Sequence, residues 1–262
     1  MIDAEPRLRR YTRWSLWTAL FSQAFGCYQA PEMTIEQQSR GHVVMLPGVE
    51  GNQWQLAGTL DGLRDAGLDR GIEIIPWGTP PLHSLQNLSD LPANLKRAEE
   101  RANRLVALQR ERPDKPLTLI GFSGGGGLAI LTIEALPKDV MLDRVILVAA
   151  AISKDYDLSK VLARCKDKVI NIYSPKDGIV GFGTSLFGTI DRKRTLSAGH
   201  CGFLDNDGKQ LRHEKLQQIA WEPAWRRYGH NGGHLGYLSR PWACHILAPQ
   251  IDPLLNKVAL AR

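Results

Sequence analysis

The chain has 262 residues, of which 43% are hydrophobic and 23% charged, and its formal net charge is +6. This composition is typical of a globular protein and excludes a largely disordered chain. No apolar run reaches about 18 residues, which excludes a bundle of membrane-spanning helices. Four cysteines are too few for a scaffold built on disulfides, and none of them forms a CxxC pair of the zinc-ribbon type.

The positive charge is spread thinly along the chain. Lysine and arginine number 33 against 27 acidic residues, and part of the excess lies in the first 27 positions. A nucleic-acid-binding protein usually concentrates its basic residues on one face or one helix. We therefore expect a mildly basic, solvated surface and no nucleic-acid partner.

The first 40 residues differ from the rest of the chain. Four arginines lie between positions 7 and 13, a moderately apolar stretch covers residues 15–26, and Cys27 follows. This is the plan of a secretory signal, and residues 24–27 resemble a bacterial lipoprotein cleavage box with Cys27 as the lipidated residue. The alternative is an amphipathic helix that packs on the domain or lies on a membrane. We expect a periplasmic or membrane-anchored protein if this leader is cleaved, and a cytoplasmic one otherwise.

Short apolar runs alternate with helical patterns from residue 42 onward. The expected strands cover residues 43–46, 72–77, 117–120, 144–151 and 169–173. The expected helices cover residues 54–66, 94–112, 128–136 and 235–247, with a helical turn at 161–166, a loop at 81–92 and a further helix near 214–221. This alternation predicts an α/β fold with a mainly parallel sheet and helices on both faces. One domain is expected over residues 41–262, behind a leader or linker at 1–40.

Residues 121–125 match the pattern G-x-S-x-G, with Ser123 at the centre. A strand is expected before the motif and a helix after it, the context in which such a serine is a nucleophile on a sharp turn. Gly121 and Gly125 then leave room for the neighbouring strand and helix, and the amides of the helix face the reacting carbonyl. The alternatives are a phosphate-binding glycine loop and a plain turn. The absence of a following GK[ST] excludes a nucleotide P-loop.

A nucleophilic serine needs a base and a group that orients the base. The acid is expected where a strand leaves the sheet, since sites gather at that edge of open α/β sheets. Asp177 meets this condition after the strand at 169–173. Asp155 and Asp157 follow the strand at 144–151 and are the alternatives.

The base is sought among the seven histidines. His42 and His83 precede the serine and do not fit the order serine, aspartate, histidine. His234 ends a glycine-containing loop directly before the expected last helix, which suits a loop-borne base. His230 and His200 also lie in glycine-containing loops after the aspartate and are the alternatives.

The elbow and the order Ser123, Asp177, His234 resemble the α/β-hydrolase family over residues 42 to about 248. More narrowly, the chain is similar to uncharacterised bacterial members of that family. The resemblance implies the α/β-hydrolase fold and a catalytic triad of these three residues. It implies no metal and no organic cofactor.

The turn at residues 46–51 is part of the same resemblance, because in this family the corresponding turn supplies an amide to the oxyanion hole. Here the two amides would be the backbone N–H groups of Val49 and Gly124. The separation of 57 positions between the aspartate and His234 exceeds the family's usual spacing, which suggests an insertion near 181–225 that shapes the substrate entrance.

The sequence therefore predicts a serine hydrolase that cleaves a small-molecule carboxylic ester, thioester or amide through an acyl-enzyme. Esterase or lipase-like activity is favoured. The alternative is a non-catalytic binding or surface-attached interaction protein on the same fold, since a fold by itself does not determine function. The acyl and alcohol parts of the substrate and the oligomeric state stay open.

Overall fold

The computed structural model describes residues 30–78 and 84–255. The arginine cluster, the apolar stretch and Cys27 of the expected leader lie outside these described residues. Among the described residues, none of the helices combines the length and the apolar character that crossing a bilayer requires.

A single parallel sheet forms the centre of the molecule. Its strands are β1 His42–Leu46, β2 Gly71–Ile74, β3 Leu117–Phe122, β4 Leu142–Val148, β5 Cys165–Tyr173 and β6 Leu216–Ala220. The strand order is β2-β1-β3-β4-β5-β6, and every neighbouring pair is parallel. The alternating pattern of the sequence predicted this architecture, and the prediction is confirmed. In parallel strands the carboxyl ends share one edge, so the loops that follow β1, β3 and β5 meet there.

Ten α-helices surround the sheet within the described residues. They are α1 Ile35–Ser39, α2 Ala57–Asp65, α3 Ser84–Ser89, α4 Leu91–Glu111, α5 Gly124–Glu134, α6 Ser159–Ala163, α7 Thr184–Phe187, α8 Ala198–Cys201, α9 Arg240–Trp242 and α10 Ala248–Ile251. Short 3₁₀ segments cover Gln53–Leu56, Pro223–Tyr228 and His234–Leu238, and π-helical segments cover Ile179–Gly183 and Ala243–Leu247.

Helices cover both faces of the sheet and divide the core into two layers. On one face α4, α5 and α6 bury Leu105, Leu128 and Val161 against the strands. On the other face α2 and the last helical segments bury Leu63 and Trp242. Removing this much apolar surface from water is the main stabilising contribution to the fold.

The local sequence explains why α4 is the longest helix. Asp90 caps its amino terminus, because its side chain accepts a hydrogen bond from the Ala93 N–H. Ala98, Ala102 and Leu105 recur at helical spacing and are buried on one side. The helix begins three residues earlier than the apolar pattern predicts, because Pro92 lies in the capped first turn, where a proline needs no N–H partner.

Two predictions of secondary structure are wrong. In the described part of the loop expected at 81–92, residues 84–89 form α3, and α4 begins at Leu91. The helix expected near 214–221 is instead strand β6, which pairs with β5 along the sheet edge. The Gln218 side chain supports this strand by hydrogen bonds to both the N–H and the C=O of Phe203, at 2.7 and 2.9 Å.

The helix expected over 235–247 is divided into short segments. A 3₁₀ turn covers His234–Leu238, and the chain is extended at Ser239 before α9 begins. Proline has no N–H to donate, so Pro241 is accommodated at the start of a new helix and not inside a continuous one. The segmentation allows His234 to approach the sheet edge while Trp242 packs into the core.

Residues 30–40, which the sequence assigns to a linker, contact the domain. The Gln37 side chain accepts a hydrogen bond from Arg64 at 3.5 Å, and Arg40 forms an ion pair with Asp69. The Ala30 N–H lies 3.4 Å from the side-chain oxygen of Gln53. This short stretch therefore packs beside β2, the edge strand.

Candidate active site

Ser123 occupies a sharp turn between β3 and α5. Its backbone angles are φ 56° and ψ −121°, a region that residues with a side chain rarely adopt. The surrounding backbone holds it there: the Ser123 N–H donates to the Val148 carbonyl at 2.9 Å, and the Ser123 carbonyl accepts from the N–H groups of Gly126 and Ala151. The strained turn lifts the hydroxyl above the carboxyl edge of the sheet.

The glycines of the motif allow a close approach of backbones. A methyl group at Gly125 would overlap the carbonyl oxygens of Leu46 and Pro47, and one at Gly121 would overlap the Gly125 carbonyl. Only hydrogen fits at these two positions, so the turn after β1 can lie directly against the start of α5.

His234 bridges Ser123 and Asp177. Its Nε2 lies 2.9 Å from the Ser123 Oγ, and its Nδ1 lies 2.6 Å from Oδ2 of Asp177. All three side chains are buried, and the imidazole packs against the Phe122 ring with centroids 4.9 Å apart. With Nδ1–H donating to the carboxylate, Nε2 is left to accept the serine proton.

The Asp177 carboxylate is held at both oxygens. Oδ1 accepts hydrogen bonds from the N–H groups of Ile179 and Val180 at 3.1 and 3.2 Å, while Oδ2 faces His234. The side chain is completely buried. A carboxylate fixed in this way determines both the orientation and the tautomer of the imidazole.

The structure does not bring the alternative residues to Ser123. The His200 Nδ1 donates to the backbone carbonyl of Asp177 at 3.1 Å. Asp155 pairs with Lys193 on the surface, and the Asp157 side chain caps the N–H of Ser159. In the described contacts neither aspartate hydrogen-bonds to a histidine.

His230 is enclosed in the core instead of facing the serine. Its Nδ1 accepts the Gly232 N–H at 3.0 Å, and its ring lies against Tyr237 and Trp242. Burial lowers the pKa of His230 to about 4, which keeps the ring neutral at neutral pH. Its sequence context, a glycine-containing loop, does not reveal this burial.

The turn after β1 brings the Val49 nitrogen close to Gly124, the residue that follows the serine. A Cβ atom at Gly124 would be 3.3 Å from the Val49 nitrogen, and it would overlap the Val49 side chain. Among the hydrogen bonds of the described residues, neither the Val49 N–H nor the Gly124 N–H has an acceptor. This pair of free donors can bind an oxygen that becomes negatively charged during a reaction.

Some residues of the site have no strong sequence signal. Ser174 donates to the Gly232 carbonyl at 2.6 Å, and the Trp77 indole donates to the Pro47 carbonyl at 2.7 Å. The position of Ser174 directly before a proline at a strand end could have indicated a turn-forming role. In the described part of the chain, no three histidine, cysteine or acidic side chains come together to hold a metal ion.

No model of a known protein family matches the sequence, and no curated protein is significantly similar to it. Solved structures are similar in fold. Lipase B of Aspergillus fumigatus is 13% identical with a TM-score of 0.52, and the match covers 84% of this chain and 54% of the lipase, about half its length. Esterase PE8 is 19% identical with a TM-score of 0.45 and coverage of 87% and 95% of the two chains. Lipase BlEst2 of Bacillus licheniformis is 13% identical with a TM-score of 0.47 and coverage of 86% and 96%.

The strand order and the similarity to lipase B identify the fold. This chain has the α/β-hydrolase fold, with a parallel sheet, helices on both faces and the loops of the site at one edge. The fold expected from the sequence is therefore confirmed.

Proposed function

We propose that the protein is a serine hydrolase that cleaves small-molecule carboxylic esters, or thioesters or amides, through an acyl-enzyme. One observation carries the proposal: an unbroken hydrogen-bonded chain runs from the Ser123 hydroxyl through His234 to the buried Asp177. A serine hydroxyl is a poor nucleophile unless an adjacent base removes its proton. The arrangement supplies this base and a carboxylate that stabilises its protonated form.

The reaction follows from the positions of these groups. As Oγ of Ser123 attacks the carbonyl carbon, its proton passes to Nε2 of His234, and the imidazolium formed is stabilised by Asp177. The carbonyl oxygen becomes an oxyanion that accepts hydrogen bonds from the Val49 and Gly124 N–H groups. When this tetrahedral intermediate collapses, its bond to the alcohol breaks, and the departing alcohol takes the proton from the imidazolium. A water molecule then attacks the acyl-enzyme in the same way: His234 accepts its proton and returns it to Ser123, and the acid is released.

Esterase or lipase-like activity is the form of hydrolysis that we favour. Lipase B, which shares the fold, is named for such a reaction, and that name supports the proposal without determining the substrate. We keep export, lipidation at Cys27 and membrane anchoring as a separate proposal based on the leader pattern. Mass spectrometry of the native amino terminus tests it, and an intact Met1 or Ile2 on a cytosolic protein contradicts it.

A fluorophosphonate probe with mapping of the labelled peptide tests the hydrolase proposal most directly. We expect labelling at Ser123, and we expect none in Ser123→Ala or in heat-unfolded protein. A panel of p-nitrophenyl esters of increasing acyl length then measures turnover. A folded wild-type protein that neither reacts with the probe nor hydrolyses any ester would favour a non-catalytic binding role on the same fold.

A further inference from the structure

Three side chains hold the backbone of the turn that follows β1. The Gln55 side-chain oxygen accepts the Gly48 N–H at 2.7 Å, and the Trp77 indole N–H donates to the Pro47 carbonyl at 2.7 Å. Both groups of the peptide between residues 47 and 48 are therefore bound. The Trp77 ring is buried and extends to Gly124, the first residue of α5, and the Val49 nitrogen also lies close to this glycine.

Asn87 holds the other side of the same turn. Its side-chain N–H donates to the Val49 carbonyl at 2.9 Å, and the side chain is almost completely buried. The Asn87 backbone is itself bound, because the buried Asn94 side chain donates to its carbonyl at 2.8 Å. This contact connects the turn to α4, the longest helix.

The consequence is that each carbonyl of the turn at residues 47–49 has a fixed donor. The Pro47 carbonyl is bound by the indole, the Gly48 carbonyl by the Gly51 N–H at 2.8 Å, and the Val49 carbonyl by the Asn87 amide. The Val49 N–H is left without an acceptor among the described residues and lies beside Gly124. A rigid frame thus surrounds a free donor.

We propose that Gln55, Trp77 and Asn87 are positioning residues that hold the Val49 N–H in place for the oxyanion. This inference rests on the proposed function. Donors lower a barrier most when they are already oriented, because no reorganisation is then needed as charge develops on the substrate oxygen. The ground-state carbonyl carries less charge, so the three side chains should matter more for turnover than for substrate binding.

Kinetic measurements on variants that each change one contact to the turn test the proposal. Asn87→Leu and Trp77→Phe each remove one donor to the turn. We expect kcat for ester hydrolysis to fall between about 10-fold and 10²-fold while KM changes less than about threefold, because misplacing a transition-state contact affects the chemical step. Gln55→Met should lower kcat to a similar extent. Gln55→Glu keeps an acceptor for the Gly48 N–H, so its kcat should fall less.

Gln109→Met is the matched control. The Gln109 amide also donates to a backbone carbonyl, that of Met141, at 3.0 Å, but at the opposite end of the sheet. We expect its kcat and KM to equal those of the wild type. Circular dichroism and thermal unfolding of each variant show whether it is folded at the assay temperature.

A boronic acid, which forms a tetrahedral adduct with the serine, provides a second measurement that does not depend on turnover. We expect its inhibition constant to rise by the same factor as kcat falls. If a folded Asn87→Leu or Trp77→Phe shows unchanged kcat and unchanged boronate affinity, or only a higher KM, the positioning role is wrong while the hydrolase proposal stands. If wild-type Ser123 reacts with neither ester nor fluorophosphonate, both proposals fail.

Discussion

The Ser174 hydroxyl donates a 2.6 Å hydrogen bond to the carbonyl of Gly232 and joins the loop of Asp177 to the loop of His234. The same glycine donates its N–H to the buried His230 ring at 3.0 Å. Gly232 is therefore held through both its N–H and its C=O, and the loop that carries His234 is anchored two residues before the imidazole. Two loops that are far apart in the sequence act as one unit.

The first prediction is that the three side chains of the proposed triad act together. Ser123→Ala should abolish burst-phase acylation, and His234→Ala should cost about as much, because the hydroxyl is not activated without its base. The double variant should be no slower than either single one. Stopped-flow measurement with a p-nitrophenyl ester checks this. Asp177→Asn should lower kcat by up to about 10⁴, and additive losses in the double variant would contradict a concerted role.

The second prediction concerns the identity of the base. Among the described residues, the His200 side chain donates to the Asp177 backbone carbonyl and does not bond to Ser123, so His200→Ala should keep kcat within about tenfold of the wild type. Steady-state kinetics of His200→Ala and His234→Ala, measured side by side, provide the comparison. An inactive, folded His200→Ala together with an active His234→Ala would show that the base is wrongly assigned.

The third prediction is that Ser174→Ala destabilises the fold. The change leaves the Gly232 carbonyl buried without its donor, which should cost about 1–3 kcal/mol in the free energy of unfolding. Urea unfolding measures this value. Ser39→Ala is a matched control, since its hydroxyl also donates to a backbone carbonyl but on an exposed helix, and we expect a change within about 0.5 kcal/mol. Equal losses in both variants would contradict the prediction.

The fourth prediction is a loss of stability in acid that depends on His230. Burial lowers the pKa of this ring from 6.5 to about 4, so between these values the unfolded chain binds a proton that the folded chain does not. Stability from this group is complete above pH 6.5 and falls as the pH decreases towards 4, by about 3 kcal/mol in total. Urea unfolding of wild type and His230→Gln at pH 7 and pH 5 measures the difference. A wild type that loses no more stability than the variant would be evidence against it.

The fifth prediction is that Gly125 tolerates no side chain. Gly125→Ala would drive a methyl group into the carbonyl oxygens of Leu46 and Pro47, so the turn and the elbow must separate. We expect a loss of more than about 2 kcal/mol and no turnover. Gly183→Ala is the control, because nothing lies within 4 Å of its added methyl group and its backbone is helical. Similar stabilities of the two variants, by thermal unfolding, would rule out the steric argument.

The fold was predictable because its signals are local. Each apolar run of β1, β3 and β4 is short and bounded by a turn or a charged segment, and a strand buried on both faces has this pattern. Strand β6 was not predictable: its sequence, Leu216–Ala220, contains two glutamines and alternates weakly. It is a strand because the exposed edge of β5 offers backbone partners, and that contact is not present in the local sequence.

For the candidate site, local patterns were enough to locate the motif around Ser123 and to limit the acid and the base to a few residues. The folded chain was needed to show that His234 lies beside Ser123 and Asp177, at sequence separations of 111 and 57, while His230 is buried among aromatic rings. The hydrogen bond from the Asn87 side chain to the Val49 carbonyl likewise joins residues 38 positions apart. Local spacing predicts helices, strands and turns, whereas burial and hydrogen-bond partners are set by the parallel register that brings distant loops to one edge of the sheet.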